Sequence, residues 1–275
     1  MSYGKRITWL REQREQELPL VLFDMDGTLT EPRKTLDKSL VPALRKLSDI
    51  ARIGVVTGSD FDYLKQQIGF LLTHSKVRYR LYLLPCNGTK FYKPPYMTPQ
   101  GHFLESETSM EEEIGKDEFE SLMRVLLNFQ SQVGQLGIPL TGHFVSYRGS
   151  MINWCPIGRN ANSKQRNCFS ERDKAEAIRE KYLQKLKSEF SSRGIICKLG
   201  GETSFDIYPE GWDKTYALKH FPELRKNVFF VGDKCQKDGN DYEIYEALKP
   251  NSFETTSTKE TETIIHTIID KLVSS

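Results

Sequence analysis

The chain of 275 residues is long enough for one large domain or two smaller ones, and its 38% hydrophobic and 28% charged residues are typical of a folded globular protein. A formal net charge of +2 is too small to predict a nucleic-acid partner. No apolar run approaches the roughly 20 residues that cross a bilayer, and the polar residues 1–17 are unlike a signal peptide. The five scattered cysteines fit reduced thiols. We therefore expect a cytoplasmic protein with no membrane partner.

The first predicted strand ends in two acidic residues. Residues 5–17 are compatible with a short charged helix or a solvated extension, and the uncharged run 18–23 predicts a strand buried on both faces of a parallel sheet. Asp24 and Asp26 follow, at the edge where open α/β sheets bind ligands. Carboxylates two residues apart on an extended segment point to the same side, so the pair can hold Mg²⁺. One of the two can also act as a nucleophile toward phosphorus. The alternative is an ordinary Asp-Gly turn.

The second predicted strand ends in hydroxyl groups. Helical spacing over residues 40–47 is followed by a strand over 53–56. A hydroxyl at the carboxyl end of a neighbouring strand can bond a phosphate oxygen, and Thr57 is our candidate for this role. Ser59 and Asp60 are as well suited to capping the helix that follows.

A change of pattern follows two further strands. Residues 81–84 and 89–92 are strand-like, and the proline-rich stretch 94–99 then interrupts the alternation of strands and helices, as a boundary or hinge would. Residues 105–120 are rich in acids and predict the solvated start of a helix, whose apolar face recurs over 122–133.

The middle of the chain is basic and contains an expected hairpin. Segments 143–147 and 150–155 are strand-like and are joined by Arg-Gly-Ser. From 148 to 172 basic residues outnumber acids in what we interpret as a loop region, which suggests an anionic ligand, although any single arginine is more simply a surface residue. A helix is expected over 173–190. Two more strand-like segments follow at 195–199 and 204–208.

The first pattern then resumes. Apolar spacing predicts a helix over 216–221 and a strand over 228–231, and this strand ends in Gly-Asp at Asp233, with Asp241 shortly after. The last predicted element is a helix over 258–272, opened by a Ser-x-x-Glu capping box.

These residues suggest a metal site if the first and last strands are neighbours. Asp233 or Asp241 can then complete an oxygen-only shell with Asp24 and the main chain of Asp26. Lys214, at the start of a predicted helix, can neutralise this centre; the alternative is a plain surface lysine.

The motifs taken together resemble those of the haloacid dehalogenase superfamily of phosphoryl-transfer enzymes. They occur in this order: Asp24-x-Asp26-Gly-Thr, Thr57, Lys214, and Gly232-Asp233 with Asp241. The resemblance implies an α/β fold in which a Rossmann-like parallel-sheet core domain, residues 1–95 and 210–275, carries an inserted α/β cap domain, residues 96–209. Within the superfamily, Pro-Ile-Gly-Arg at 156–159 and Gly-Trp-Asp-Lys at 211–214 resemble the eukaryotic-type phosphomannomutases.

That family resemblance implies roles for individual residues. Asp24 would be the nucleophile that becomes an aspartyl phosphate, and Asp26 the general acid and base. Asp24, the Asp26 carbonyl and Asp233, with Asp241 near them, would hold Mg²⁺. The positions that match sugar-phosphate ligands are Arg33, Arg148, Arg159, Arg166, Ser204 and Asp206. The family also implies a hexose 1,6-bisphosphate activator and a homodimer through the cap.

Three hypotheses about function follow. The first is a phosphomannomutase that interconverts mannose 6-phosphate and mannose 1-phosphate and so supplies the precursor of GDP-mannose. The second is a Mg²⁺-dependent sugar-phosphate phosphatase of the same superfamily, which needs only water to reach the aspartyl phosphate; the cap arginines argue against it. The third is a non-catalytic sugar-phosphate-binding protein, which the complete set of acidic and basic motif residues disfavours.

Overall fold

The computed structural model describes residues 17–95, 101–222, 227–237 and 239–274. The chain divides into two compact units, which we call the core unit and the inserted unit. The core unit ends at Glu107 and resumes at Asp213, and the inserted unit is Thr108–Trp212. The helix considered for residues 5–17 lies outside the described residues, apart from Glu17.

The secondary structure alternates between strands and helices. In chain order the strands are β1 Leu20–Phe23, β2 Arg52–Val56, β3 Leu81–Leu84, β4 Lys90–Lys93, β5 Phe103–Glu107, β6 Val145–Tyr147, β7 Ile152–Trp154, β8 Ile195–Gly200, β9 Ser204–Pro209, β10 Val228–Gly232 and β11 Ser252–Glu254. The α-helices are α1 Val41–Ile50, α2 Phe61–His74, α3 Met110–Ile114, α4 Lys116–Gly134, α5 Ser163–Glu176, α6 Ile178–Phe190, α7 Tyr242–Ala247 and α8 Thr258–Ser274. Short 3-10 helices are Lys38–Leu40, Lys76–Arg80, Cys86–Gly88, Ser191–Arg193 and Lys214–His220.

The core unit contains a seven-stranded sheet in the order β11-β10-β1-β2-β3-β4-β5. The five strands from β11 to β3 are parallel, and β4 and β5 are antiparallel additions at one edge. Strand β1 lies between β2 and β10, with Leu20 opposite both Arg52 and Val228. The α/β fold class is therefore confirmed, and the first and last predicted strands are neighbours, which is the condition on which the metal site depended.

Strand β1 is apolar because both of its faces are covered. Val21 and Phe23 point into a cluster formed with α1, α2 and α8, whereas Leu20 and Leu22 point into a second cluster on the opposite face. Successive side chains of a strand alternate between faces, so a strand buried on both sides carries a continuous apolar run. The interpretation of residues 18–23 is confirmed.

The inserted unit is built on a four-stranded antiparallel sheet in the order β6-β7-β9-β8. The expected hairpin is present, because β6 pairs with β7. Trp154 is fully buried; its ring stacks on Phe205 at 4.5 Å between centroids and meets Tyr182 of α6 edge-on. The register aligns Asn153 of β7 with Asp206 of β9, and both alternate with the buried aromatic residues along their strands. One sheet face is thus apolar and packed, and the other carries polar side chains.

Several local expectations differ from the structure. The basic stretch interpreted as a loop contains the helix α5, in which only Phe169 and Asp173 are buried, so the helix has no apolar stripe to reveal it. The expected insert at 96–209 begins earlier than the inserted unit, because β5 pairs with β4 in the core sheet. The helix expected over 216–221 is the 3-10 helix Lys214–His220. Over the described part of the chain, no helix combines the length and apolar character that a membrane span needs.

Candidate active site

Three carboxylates meet at the carboxyl edge of the parallel sheet. Asp24 follows β1 and Asp233 follows β10, and the N–H group of Asp24 donates to the Val231 carbonyl at 2.9 Å. Asp24, Asp233 and Asp241 each have a carboxylate oxygen within 4.8 Å of those of the other two. Asp241 reaches the group from the start of α7, and its Oδ2 accepts from the N–H group of Lys234 at 3.0 Å. Neighbouring parallel strands thus bring residues distant in sequence to one point.

Gly27 lets the chain pass close to this group. Its φ of +91° lies in the left-handed region, and a Cβ atom built on it would collide with the carboxylate of Asp233. Only glycine satisfies both conditions without displacing a neighbour. The glycine of the Asp-x-Asp-Gly motif is therefore needed for the close approach of the two loops as well as for the turn.

Lys214 supplies the positive charge within the cluster. Its side chain is 1% exposed, and its Nζ donates to Oδ1 of Asp24 and to Oδ1 of Asp241. Burial lowers the pKa of Lys214, but the charges and hydrogen bonds of the two carboxylates outweigh it and hold the pKa above its ordinary value. The surface-lysine alternative is wrong, because an ammonium group is buried here against two acids.

Burial also acts on the acids. It raises the pKa of Asp24 from 3.8 to about 7, against the opposing charge of Lys214 and with the support of Asp241 and Asp233. Burial likewise raises the pKa of Asp233. Three acids thus share this site with one buried lysine, which bonds Asp24 and Asp241.

The donor set fits a divalent cation such as Mg²⁺. Asp233 Oδ1 is buried without a hydrogen-bond partner in the described part of the chain, which is costly unless a cation occupies its lone pairs. The cluster offers only oxygen donors, the kind that Mg²⁺ prefers. The carbonyl of Asp26 stays a predicted fourth ligand.

The side chain of Asp26 faces helix α2 instead of the carboxylate cluster. Its Oδ1 accepts from the Tyr63 hydroxyl at 3.2 Å, the Gln67 amide at 3.3 Å and the N–H group of Arg33 at 3.2 Å. Arg33 has a φ of +65°, which places its N–H group for this bond. Burial and the charge of Asp26 raise the pKa of Tyr63 to about 12, so its hydroxyl remains a donor. The two acids of the motif thus have different surroundings.

Thr57 lies at the same sheet edge, directly after β2. It is buried, and its Oγ1 accepts from the N–H group of Ser59 at 3.1 Å. The Thr57 carbonyl accepts from the N–H group of Asn87 at 2.8 Å. The alternative role of Asp60 as a helix cap is confirmed, since its Oδ1 accepts from the N–H group of Tyr63 at 2.9 Å.

The inserted unit brings two candidates together through a residue that sequence reasoning missed. Asn153 Oδ1 accepts from the Arg159 guanidinium at 2.8 Å, and Asn153 Nδ2 donates to Asp206 Oδ1 at 2.8 Å. Gly158, with φ +85°, precedes the arginine, and a Cβ atom there would collide with the carbonyl of Gly142. In the sequence, the signal for this role was a polar residue, Asn153, between the apolar residues Ile152 and Trp154.

The other candidates of the inserted unit occupy three different elements. Arg148 lies in the β6–β7 turn, where its N–H group donates to the Met151 carbonyl at 2.9 Å. Arg166 lies on helix α5, and the Ser204 hydroxyl donates to the Gly200 carbonyl at 2.6 Å. None of these observations tests a role in binding, so their assignment stays a prediction.

This sheet, with carboxylates and a lysine at its carboxyl edge, defines the class of the protein as a haloacid dehalogenase-like phosphoryl-transfer enzyme. Solved structures share the fold: an N-terminally truncated Plasmodium falciparum IMP-nucleotidase matches with a TM-score of 0.62 and 16% identity, over 92% of this chain and 71% of that one. Aspergillus fumigatus trehalose-6-phosphate phosphatase matches with a TM-score of 0.51 and 16% identity, over 97% of each chain.

The sequence comparisons specify the family. The profile described as eukaryotic phosphomannomutase matches residues 40–271, and the chain belongs to this family of enzymes. Phosphomannomutase from Arabidopsis thaliana is 35% identical over 243 residues, which cover 88% of this chain and 93% of that protein. Phosphomannomutase from Encephalitozoon cuniculi is 37% identical over 231 residues, which cover 83% and 85%. Enzymes of this fold class in general depend on Mg²⁺.

Proposed function

We propose that the protein interconverts mannose 6-phosphate and mannose 1-phosphate in the cytoplasm and so supplies the precursor of GDP-mannose. The observation that carries the proposal is the buried group of Asp24, Lys214, Asp233 and Asp241 in a chain of the eukaryotic phosphomannomutase family. A carboxylate held by a buried ammonium group is fixed in position for attack on phosphorus.

The reaction proceeds in two half-steps on Asp24. A carboxylate oxygen of Asp24 attacks the phosphorus of a hexose bisphosphate, the bond to the sugar oxygen breaks, and Asp26 gives that oxygen a proton. This leaves an aspartyl phosphate and a hexose monophosphate. In the second half-step, the free hydroxyl of a mannose monophosphate attacks the aspartyl phosphate, the bond from phosphorus to Asp24 breaks, and Asp26 takes the hydroxyl proton. The bisphosphate formed in this way reorients, and Asp24 then takes its other phosphoryl group, so the isomer is released. Lys214 balances charge on Asp24 throughout, and Thr57 is placed to bond a phosphoryl oxygen. Mg²⁺, when bound by the three acids and the Asp26 carbonyl, supplies charge that offsets the phosphoryl oxygens.

The inserted unit supplies the proposed grip on the sugar phosphate. Arg159 is a suitable phosphate ligand because a planar guanidinium can bond two oxygens at once, and its contact with Asn153 fixes its direction. Asp206, held by the same asparagine, is suited to a sugar hydroxyl. The same proposal assigns sugar-phosphate contacts to the following residues: Arg33, Arg148, Arg166 and Ser204. It also includes a hexose 1,6-bisphosphate activator and a homodimer through the inserted unit, on the basis of the family.

A product assay separates this function from that of a phosphatase. The purified protein is given mannose 1-phosphate or glucose 1-phosphate, with and without hexose 1,6-bisphosphate and Mg²⁺, and both isomer and inorganic phosphate are measured. We expect the isomer to form, with stimulation by the bisphosphate and loss of turnover without Mg²⁺. Inorganic phosphate as the main product would favour the phosphatase instead.

A pair of variants tests the nucleophile. Asp24→Asn should abolish Mg²⁺-dependent turnover while the protein stays folded, because an amide is not a nucleophile toward phosphorus. Asp49→Asn, at an exposed position of α1, is the matched control and should keep wild-type turnover. Retained activity in Asp24→Asn would refute the assignment.

A further inference from the structure

The carboxylate of Asp26 is held asymmetrically. Its Oδ1 accepts three hydrogen bonds, from Tyr63, Gln67 and the main chain of Arg33, at 3.2 to 3.3 Å. Within the described ranges, Oδ2 of the same carboxylate accepts none. A carboxylate rotates broadly about its last side-chain torsion, so donors grouped on one oxygen define where the other oxygen points.

Both side-chain donors come from one face of α2. Tyr63 and Gln67 are four residues apart, the spacing that places helical side chains above one another. The helix is fixed next to Tyr63 by the cap at Asp60. Its first turns also pack into the core through Leu64, which is fully buried. The two donors are therefore carried by a helix whose first turns are anchored at Asp60 and Leu64.

The amide of Gln67 has its orientation determined by a second contact. Gln67 is 3% exposed, and its Oε1 accepts from the Thr30 hydroxyl at 2.6 Å. Reversing the amide would place its oxygen against the oxygen of Asp26, so the network fixes the NH₂ group toward the carboxylate. A buried glutamine with both ends bonded in this way is built for one orientation.

We propose that Tyr63 and Gln67 are positioning residues, which hold Asp26 so that Oδ2 faces the substrate. The proposal rests on the function proposed above, in which Asp26 exchanges the proton of the sugar oxygen. When the sugar hydroxyl attacks the phosphorus of the aspartyl phosphate, the bond from phosphorus to Asp24 breaks and the hydroxyl proton passes to Asp26 Oδ2. In the reverse direction, the same proton returns to the departing sugar oxygen. A carboxylate that turns away from this oxygen cannot complete either transfer.

The test compares two kinds of phosphate donor. A hexose phosphate loses a sugar oxygen that needs a proton, whereas p-nitrophenyl phosphate loses a nitrophenolate that does not. Tyr63→Phe, Gln67→Met and the double variant are assayed with both. We expect kcat for the hexose phosphate to fall on the order of tenfold in each single variant, because losing one hydrogen bond to a charged group has an effect of about this size. In the double variant, kcat should fall further. KM should stay within about twofold. The pre-steady-state release of nitrophenolate from p-nitrophenyl phosphate, which precedes attack on the aspartyl phosphate, should be nearly unchanged.

Matched variants control for general damage. Tyr79→Phe removes a tyrosine hydroxyl that contacts Arg78 elsewhere in the core unit, and Gln66→Met changes the exposed neighbour on the same helix. Both should behave as wild type. Equal loss with the two donors in Tyr63→Phe, or no loss with the hexose phosphate in the double variant, would overturn the proposal.

The same data separate this proposal from the function on which it rests. If the wild-type protein releases phosphate from hexose phosphates without forming the isomer, the mutase assignment fails. The comparison between the two donors then still decides the role of Tyr63 and Gln67, since phosphate release from a sugar also requires protonation of the leaving oxygen.

Discussion

Asn153→Ala removes the side chain that joins Arg159 to Asp206. Asn153 is 3% exposed and makes one 2.8 Å bond to each of these charged residues, with a third bond to the Phe205 carbonyl at 3.2 Å. A hydrogen bond to a charged group contributes about 1.5–3 kcal/mol. Because Arg159 is exposed and Asp206 half-buried, water recovers much of this. We therefore expect the free energy of unfolding to fall by about 2 kcal/mol.

The same change should weaken binding of the sugar phosphate. Without the bond to Asn153, the Arg159 side chain is oriented less well for the phosphate, and a loss of about 1.4 kcal/mol in binding free energy raises KM tenfold. Urea unfolding gives the stability, and steady-state kinetics with mannose 1-phosphate give KM and kcat, with kcat expected to change little. Asn128→Ala, on the exposed face of α4, is the matched control. A folded Asn153→Ala protein with unchanged KM would refute the role of this network in binding.

Three further predictions concern the carboxylate cluster. Lys214→Met leaves two buried carboxylates without their cation, so the metal-free protein should lose about 3–5 kcal/mol of stability and regain part with Mg²⁺; an unchanged melting temperature would contradict the buried ion pair. Gly27→Ala should lower the free energy of unfolding by about 2 kcal/mol and weaken Mg²⁺ binding, because the new Cβ atom would collide with Asp233. Gly137 has a φ of +69° and no neighbour near its Cβ position, so calorimetry of Gly137→Ala measures the backbone contribution alone. Since burial raises the pKa of Asp24 from 3.8 to about 7, the native state holds a proton that the unfolded chain releases. Metal-free stability should therefore fall as the pH rises from about 4 to about 7, and Mg²⁺ should stabilise the protein more at about pH 8 than at about pH 6. Equal stabilisation at both pH values, in melts with and without Mg²⁺, would be inconsistent with this.

The sheet edge that carries the cluster was predictable because its signals are local. Strand β1 is covered on both faces, so its apolar run identifies it, and the acids stand directly after β1 and β10. Parallel strands then bring these ends together. The strand β5 had no such signal, because all five of its residues are exposed and lack apolar alternation. The helix α5 was missed for the same reason, although Asn162 and Gln165 form a capping box at its start.

The polar residues that orient others could not be found in this way. Tyr63 and Gln67 reach Asp26 across 37 and 41 residues of sequence, and Asn153 reaches Asp206 across 53. Periodicity describes which face of an element is buried, whereas the partner of a buried polar group depends on which elements become neighbours. A polar residue such as Asn153 can be noticed between two apolar neighbours in the sequence, but the residues that it orients become known only from the tertiary structure.

The position of Lys214 has a consequence for synthesis of the chain. Asp24 and Lys214 are 190 residues apart, and the whole inserted unit lies between them. If the chain is synthesised at about 5–20 residues per second, Lys214 is added roughly 10–40 s after Asp24, and β10 is completed somewhat later. During that interval one side of a wholly apolar strand is an open edge, the kind that pairs with other chains. Closure of the sheet and assembly of the carboxylate cluster therefore depend on the same late segment, so a nascent chain is most prone to aggregation before it can be active.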